Sequence, residues 1–211
     1  MLLPWMPGLI AACLMTAALA DGGWELARED ASRQIRVFTR SQADSDYDEF
    51  RSEMLAPQSI DTVVAVLRDI PAWPEWIARI RKVKLLRHDG ESNWVYVVYK
   101  LPYPFKDRDT VLQSVLQREA KGGVVTIRSQ AVRTLPMPEQ DSRRVHLYEL
   151  QSTWRLTPLP GGGTRIELSG RGQPGGYLPS LIFNYNLADE PQQTLRLLRL
   201  MLARPKYQPR K

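Results

Sequence analysis

The sequence has little of the chemistry on which most enzymes depend. It contains one cysteine, Cys13, and two histidines, His88 and His146, which are far apart in the chain. Beyond Cys13 there is no thiol for a disulfide or a thiolate metal site. Two histidines far apart in the chain do not provide the set of ligands that a zinc site needs. A Gly-x-Ser-x-Gly nucleophile elbow and a GK[ST] phosphate-binding loop are also missing. We therefore expect no metal, no cofactor and no catalytic residues.

Charged residues are missing from the first twenty positions, and the run Leu9–Leu19 is apolar. Small residues at Ala18–Ala20 provide a cleavage point before Asp21. Residues 1–20 are therefore predicted to be a signal peptide and residues 21–211 the mature domain, which would be periplasmic or secreted. The apolar run has no lysine or arginine before it, so an uncleaved segment that tethers the chain to a membrane is the alternative.

The chain has 211 residues and a net charge of +6, with no charge excess of either sign massed on one element. This length suits one domain with a sizeable core. Because basic and acidic residues are interspersed, the charge does not favour nucleic acid as a partner. An anionic lipid surface fits the basic excess, and so does an ordinary solvated surface. We expect a monomer.

Two strand-like runs, Trp94–Tyr99 and Thr110–Leu116, flank an unusual loop. The loop, residues 102–109, contains two prolines and two aromatic residues and ends in Arg108 and Asp109. The prolines stiffen the loop and remove backbone donors. Adjacent residues of a strand point to opposite faces, so Arg108 and Asp109 are not expected to pair with each other.

This loop and the order of features around it resemble a START domain, the lipid-binding module of the steroidogenic-acute-regulatory type. The matching features are a helix opening at Trp24–Leu26, a strand at Gln34–Arg40, a helix at Ser59–Asp69, a tryptophan-bearing turn at Pro71–Trp76, the Arg108-Asp109 pair, and Gly175–Asn184 before a final helix. They span residues 24–205, and phosphatidylcholine-transfer-like members are the most similar. The resemblance implies an α+β helix-grip fold, in which a long curved antiparallel sheet wraps around a C-terminal helix and encloses an apolar cavity.

Alternation along the strands predicts which side chains face that cavity. The inward sets are Leu112, Ser114 and Leu116; Val125, Ile127, Ser129 and Ala131; and, in one unbroken strand, His146, Tyr148, Leu150, Ser152, Trp154 and Leu156. The opposite register of the last strand would bury Glu149 and Arg155. A mostly apolar wall with a few hydroxyls suits a hydrocarbon ligand, although a solid core with satisfied hydroxyls has the same pattern.

The segment 177–203 is predicted to cover the cavity. Its first half places Leu178, Leu181, Ile182 and Tyr185 at helical spacing, as one apolar stripe. Pro191 should interrupt the helix, after which Leu195, Leu198 and Leu202 continue an apolar face.

The predicted ligand-binding residues combine these strands, the loop and the lid. They are Tyr99, Leu101, Arg108, Leu112, Ser114, Ile127, Ser129, Tyr148, Leu150, Ile182 and Tyr185, with Tyr103 and Phe105 as contacts to a lid or a membrane. Arg108 could hold a phosphate through its planar guanidinium or could fix a neighbouring loop. Tyr103 and Phe105 could enter a lipid interface or pack on the final helix.

Three functions fit the sequence. The first is a non-enzymatic carrier of one lipid, phospholipid or fatty-acid-like, which contacts membranes transiently. The second is a polyketide cyclase or aromatase on the same scaffold, with Arg108, His146 and Tyr148 in the pocket. The third is a membrane-surface adaptor. Sterol-binding family members use a buried carboxylate and arginine near the positions of Val95 and Ser114, and neither position is charged here.

Overall fold

The structure, a computed structural model, describes residues 22–208. The predicted signal peptide at residues 1–20 and Cys13 lie outside the described residues. Within residues 22–208, no helix is both long enough and apolar enough to cross a bilayer.

Ten strands of the described chain form a single sheet. In chain order they are β1 (Glu25–Asp30), β2 (Ile35–Gln42), β3 (Ser45–Ala56), β4 (Ile80–Asp89), β5 (Ser92–Tyr99), β6 (Asp107–Arg118), β7 (Val125–Ala131), β8 (Arg144–His146), β9 (Leu150–Pro158) and β10 (Thr164–Gly172). Across the sheet the order is β1-β2-β3-β10-β9-β7-β6-β5-β4, with antiparallel neighbours, and the short β8 runs parallel to the start of β6. The predicted α+β fold with a long curved antiparallel sheet is confirmed.

The helices lie where the sequence predicts them. They are α1 (Ile60–Arg68), α2 (Trp73–Trp76), α3 (Ser180–Asn186) and α4 (Asp189–Leu202). Ser59 caps α1, because its hydroxyl accepts from the Thr62 N–H. Pro191 lies in the first turn of α4, where its missing N–H has no helical partner to lose. The chain therefore breaks just before the proline, and the lid consists of two helices, as the predicted interruption at Pro191 implies.

At one end, the region between the sheet and α4 is filled by packed side chains. Leu195, Leu198 and Leu202 are fully buried, as predicted, and pack with α1 against the strands β2, β3, β9 and β10. Burying each such leucine contributes about 1.5–3 kcal/mol. The end of the sheet nearer to α3 is hollow, and it holds the site described below.

The N-terminal helix predicted at Trp24–Leu26 is wrong, because the chain forms the edge strand β1 there. Only a few residues separate Gly23 from a tight 3-10 turn at Ala31–Arg33, which Asp30 caps. A helix of that length is unstable in isolation. As a strand, the same residues pair with β2 and satisfy their backbone groups.

The unbroken strand predicted from His146 to Leu156 is also wrong. β8 pairs with β6, whereas β9 pairs with β7, and the chain changes partner between them. At the crossover the Leu147 N–H donates to the Asp109 carbonyl, and the Leu147 carbonyl accepts from the Thr110 hydroxyl at 2.7 Å. The break reverses the alternation, so Leu147 is buried and Tyr148 faces outward.

Asp30 makes the stability of the fold depend on acidity. Its carboxylate accepts hydrogen bonds from Ser32, Arg33 and, from α4, Arg196. The Ser32 hydroxyl and the two arginines hold the pKa of Asp30 at about 2. The pKa of Asp30 is lower in the folded state than in the unfolded chain, where it is about 3.9. The interactions of the Asp30 carboxylate therefore stabilise the folded state at pH values above about 3.9, and this stabilisation is lost as the pH falls toward the pKa of the folded state.

We therefore expect Asp30→Asn to lower the stability at neutral pH and to flatten its decline between about pH 4 and pH 2. Urea midpoints measured across that range test this. Asp44→Asn, in the exposed turn between β2 and β3, is the matched control. Parallel pH curves for Asp30→Asn and the unmodified chain would contradict the assignment.

Candidate ligand-binding cavity

The hollow end of the fold is a cavity of about 360 Å³. Its floor is the inner face of β5, β6, β7, β9 and β10, and its roof is formed by α2, α3 and the first half of α4. The wall is mostly apolar, with the two tryptophans Trp73 and Trp76 among its largest side chains. The volume of this cavity and its apolar lining are typical of sites that enclose a small apolar ligand.

Most of the predicted ligand residues line this cavity. They are Tyr99, Leu101, Arg108, Leu112, Ser114, Ile127, Ser129, Leu150 and Ile182, joined by Phe105 from the loop. The strand alternation therefore placed the floor correctly along β6, β7 and β9. Whether each of these residues contacts a ligand stays a prediction.

Two predicted residues, Tyr148 and Tyr185, do not line the cavity. Tyr148 lies outside because of the strand break, with the Arg133 guanidinium 4.1 Å from its ring centroid. Tyr185 is exposed because α3 is a separate short helix that turns Ile182 and Phe183 inward instead. His146 also faces away from the cavity, on the outer side of the sheet, and pairs with Asp109.

Arg108 holds the mouth of the cavity together. Its side chain is only 2% exposed. Its Nε donates to the Pro174 carbonyl at 3.0 Å, its Nη2 donates to the Gly175 carbonyl at 3.0 Å, and its Nη1 donates to the Lys106 carbonyl. These bonds tie the 101–106 loop to the segment before α3. The loop-fixing interpretation of Arg108 is therefore favoured over phosphate binding.

Asp109 points to the opposite face of β6, as predicted, and is completely buried there. It accepts a hydrogen bond from the Tyr96 hydroxyl at 2.8 Å and pairs with the His146 ring. Arg144 donates to the same Tyr96 oxygen at 2.8 Å. Burial and the neighbouring Asp109 carboxylate raise the pKa of Tyr96. This network fastens β8 to the sheet and leaves His146 without access to the cavity.

Polar groups that the sequence did not reveal line the cavity near the mouth. The Arg79 side chain, which lies just before β4, is ion-paired with Glu190 in the first turn of α4. Burial raises the pKa of Glu190, and burial raises that of Tyr99 as well. Arg79 and Glu190 are over a hundred residues apart, so no local pattern could have paired them.

At the far end of the cavity, Arg68 and Glu91 form an ion pair of 3.4 Å. Both side chains are about half exposed, so the pair lies at the surface rather than deep inside. Exposed pairs of this kind contribute about 0–1 kcal/mol.

The residues 170–175 spell Gly-x-Gly-x-x-Gly, a pattern that in dinucleotide-binding folds occupies a turn between strand and helix. Here Gly170 and Gly172 lie inside β10 and line the cavity. A Cβ atom at Gly170 would come within 2.6 Å of the Phe50 ring, and one at Gly172 would come within 2.4 Å of the Glu149 carbonyl. Close packing across the cavity wall explains these two glycines.

The mouth is surrounded by exposed apolar side chains. Tyr103 in the loop, Tyr177 before α3, and Leu181 and Tyr185 on α3 are 77% to 97% exposed. We call these four residues the mouth surface. Arg108 joins the two segments that present them, and inner residues of the same segments line the cavity.

Comparison with known proteins identifies the family. Residues 48–196 match the family described as polyketide cyclase / dehydrase and lipid transport, and the chain belongs to this family. A STAR-related lipid transfer protein from Xanthomonas axonopodis is 30% identical with a TM-score of 0.78, over 86% of this chain and 99% of that one. The resemblance to START domains is thereby confirmed.

Two further known proteins are similar to this chain over most of its length. An uncharacterized protein of Pseudomonas aeruginosa is 29% identical over 182 residues, which are 86% of this chain and 87% of the relative. Human STARD10 has the same fold, with a TM-score of 0.76 at 17% identity, over 89% of this chain and 76% of that one. Fold and cavity together support binding of a hydrophobic ligand; the similarity to phosphatidylcholine-transfer-like members stays a prediction.

Proposed function

We propose that this protein is a non-enzymatic carrier, which encloses one hydrophobic lipid and moves it to or from membranes. The observation that supports this most directly is the apolar cavity whose mouth is bordered by the mouth surface. The cavity accounts for binding, and the mouth surface accounts for contact with a membrane.

Enclosure of the lipid makes membrane contact necessary. Burying an acyl chain contributes about 0.8 kcal/mol per methylene, so a long chain is held firmly without a specific polar contact. Release into water would cost the same amount. If the mouth opens against a bilayer, the chain passes from one apolar medium to another, and the barrier to its exit falls.

The mouth surface has the chemistry of a membrane-docking site. Tyrosine suits the interface between water and lipid, because its ring is apolar and its hydroxyl is polar. Leu181 and Tyr185 are four residues apart and so lie on the same side of α3, facing away from the cavity. The net charge of +6 adds attraction to anionic lipid headgroups.

The cyclase or aromatase hypothesis loses two of its three proposed groups, because His146 and Tyr148 do not line the cavity. Tyr99 and Glu190, which line the cavity together with Arg108, are the groups that favour an enzyme as the second candidate. The two functions differ in a simple respect: a carrier returns its ligand chemically unchanged, whereas an enzyme returns a product of different mass or structure.

We further propose that the protein acts outside the cytoplasm, on the basis of the apolar segment at residues 1–20. We also propose that it acts as a monomer. A tether formed by the same segment would restrict transfer to one membrane.

The test is lipid transfer between two populations of vesicles by purified residues 21–211. We expect the unmodified chain to accelerate transfer, and native mass spectrometry to show one intact lipid per chain. The double variant Leu181→Ser/Tyr185→Ser should transfer at least about tenfold more slowly with its lipid still bound, because docking loses buried apolar area.

The exposed Leu200 on α4, away from the mouth, gives a matched control, Leu200→Ser. If both variants slow transfer equally, the mouth surface is not the docking site. Failure of the unmodified chain to take up any lipid would contradict the carrier function itself.

A further inference from the structure

A row of polar side chains crosses the floor of the cavity at right angles to the strands. Register places Asn93 on β5 opposite Ser114 on β6, Ser114 opposite Ser129 on β7, and Ser129 opposite Ser152 on β9. All four residues line the cavity. We call them the polar row. Gly170 on β10 continues the same register without a side chain.

The polar row is bordered by apolar rows on both sides. Toward the mouth, Val95 lies opposite Leu112, and Leu112 opposite Ala131. Toward the far end, the neighbouring strands align Leu116, Ile127, Trp154 and Leu168. A ligand that fills the cavity would therefore meet an apolar surface, then the polar row, then an apolar surface again.

The polar row has more hydrogen-bond donors than the described chain satisfies. Ser114 is 6% exposed, and its Oγ lies 2.7 Å from the Ser129 Oγ. One hydroxyl of that pair donates to the other, and the proton of the second hydroxyl has no acceptor within residues 22–208. The Ser152 hydroxyl likewise has no partner there. The Asn93 Oδ1 lies 2.8 Å from the His88 Nδ1. The Asn93 NH₂ group has no acceptor within the described residues.

These spare donors point to a ligand that brings an acceptor. A buried donor without a partner is unfavourable, because it has lost its hydrogen bonds to water. Ordinary core serines are satisfied by backbone or side-chain partners, as Ser52 is by the Leu168 carbonyl. The spare hydroxyl protons of the polar row instead face a space large enough for a ligand.

The acceptor must be neutral. No member of the polar row has a charge. The charged side chains that line the cavity lie outside this row: Arg79–Glu190 and Arg68–Glu91 form ion pairs at its ends, and Arg108 donates to backbone carbonyls at the mouth. A free carboxylate at the polar row would be buried without a cation, which is strongly unfavourable. A carbonyl oxygen accepts one or two hydrogen bonds and needs no counter-charge.

We propose that the polar row binds the carbonyl oxygen of an acyl ester and thereby sets how deeply the lipid enters the cavity. The ligand class is an esterified acyl lipid rather than a free fatty acid or a pure hydrocarbon. This inference rests on the proposed function, because it specifies which hydrophobic ligand the cavity takes. The hydrocarbon on the two sides of the ester lies against the two apolar rows.

The experiment is a competition assay in which lipids displace a neutral apolar fluorophore from residues 21–211. The probes are octadecane, palmitate, methyl palmitate as a simple ester, and dioctanoylglycerol as a glycerolipid. The unmodified chain should bind methyl palmitate more tightly than octadecane or palmitate. The ranking of the two esters tells whether a simple ester or a glycerolipid is the better source of the carbonyl.

The variants separate the carbonyl contact from apolar burial. A hydrogen bond contributes about 0.5–1.5 kcal/mol, so Ser152→Ala and Ser114→Ala/Ser129→Ala should each weaken methyl palmitate about threefold to tenfold. Octadecane should bind these variants as tightly as before. Replacing both partners of a hydrogen-bonded pair by apolar groups is nearly neutral for stability, so the double variant should fold. Ser152→Ala is a single replacement on another strand and provides an independent second test of the carbonyl contact.

Ser169→Ala is the matched control, because Ser169 is on β10 between the inward Leu168 and Gly170 and so faces away from the cavity. Unchanged ester affinity in the polar-row variants, or an equal loss for ester and alkane, overturns the inference while the carrier function stands. Palmitate binding as tightly as methyl palmitate also overturns it. If no probe displaces the fluorophore from the unmodified chain, both the inference and the proposed function fail.

Discussion

Replacing Leu112 with tryptophan is expected to abolish lipid binding and to leave the protein folded. Leu112 lies in the middle of β6 and points into the cavity beside the polar row. In a solid core the larger indole would cost about 1–3 kcal/mol, because neighbouring side chains have no room to move. Here the ring can extend into empty space, so the change in the free energy of unfolding should be less than about 1 kcal/mol. The space that the ring occupies is then lost to the ligand.

Native mass spectrometry and urea unfolding check the two halves of this expectation. Leu112→Met is the control, because it keeps the volume and should retain the lipid. A Leu112→Trp chain that still binds one lipid at full affinity would show that the ligand site lies elsewhere. Strong destabilisation together with normal binding would show that this space is not hollow.

Replacing Arg108 with methionine should destabilise the protein by about 3 kcal/mol, because buried carbonyls lose their donors. The carbonyls of Lys106, Pro174 and Gly175 would be left unpaired at the mouth. The two segments that Arg108 joins would then separate more easily, so bound lipid should also dissociate faster. Urea unfolding measures the first effect, and the rate of lipid transfer to acceptor vesicles measures the second.

Arg108→Lys keeps the charge, but a single ammonium group cannot match the geometry of the planar guanidinium. It should therefore recover only part of the lost stability. The phosphate interpretation predicts a different pattern, in which Arg108→Met is as stable as the unmodified chain and loses affinity only for lipids that contain phosphate. That pattern would restore the ligand-binding role and contradict the structural one.

The parts of the site that the sequence predicts are those that depend on local alternation. Leu112 and Ser114 on β6, and Ile127 and Ser129 on β7, each lie in one uninterrupted strand, so a period of two residues places them correctly. The prediction that Tyr148 faces the cavity is wrong because β8 and β9 pair with different strands. Such a change of pairing partner cannot be recognised in the alternating sequence pattern. The helix predicted at the position of β1 is wrong because pairing with β2 outweighs the local helical preference of these residues.

Contacts between distant elements are the second limit. The Arg79–Glu190 pair and the Arg108 bonds to residues 174–175 join segments that no sequence pattern relates. The polar row lies between these cases. Each serine was predicted to face inward, but the alignment of four strands into one row depends on register, which only the folded sheet fixes.

The two ends of the space beneath α4 have a consequence for how a ligand enters. The last turns of α4 are locked by Leu195, Leu198 and Leu202, and Thr194 accepts a hydrogen bond from the Ala78 N–H at 3.0 Å. By contrast, α3 has no buried residue, and its contacts with β3 include the Asn184 side chain, which accepts from the Asp48 N–H at 3.0 Å, and the Phe183 ring, whose centroid lies 5.2 Å from that of Tyr47. The first turn of α4 is also held, because Ala188 and Pro191 are buried and Glu190 is ion-paired with Arg79. We therefore expect a ligand to enter by displacement of α3 while α4 stays in place, so that uptake of the ligand and stability of the fold depend on different helices.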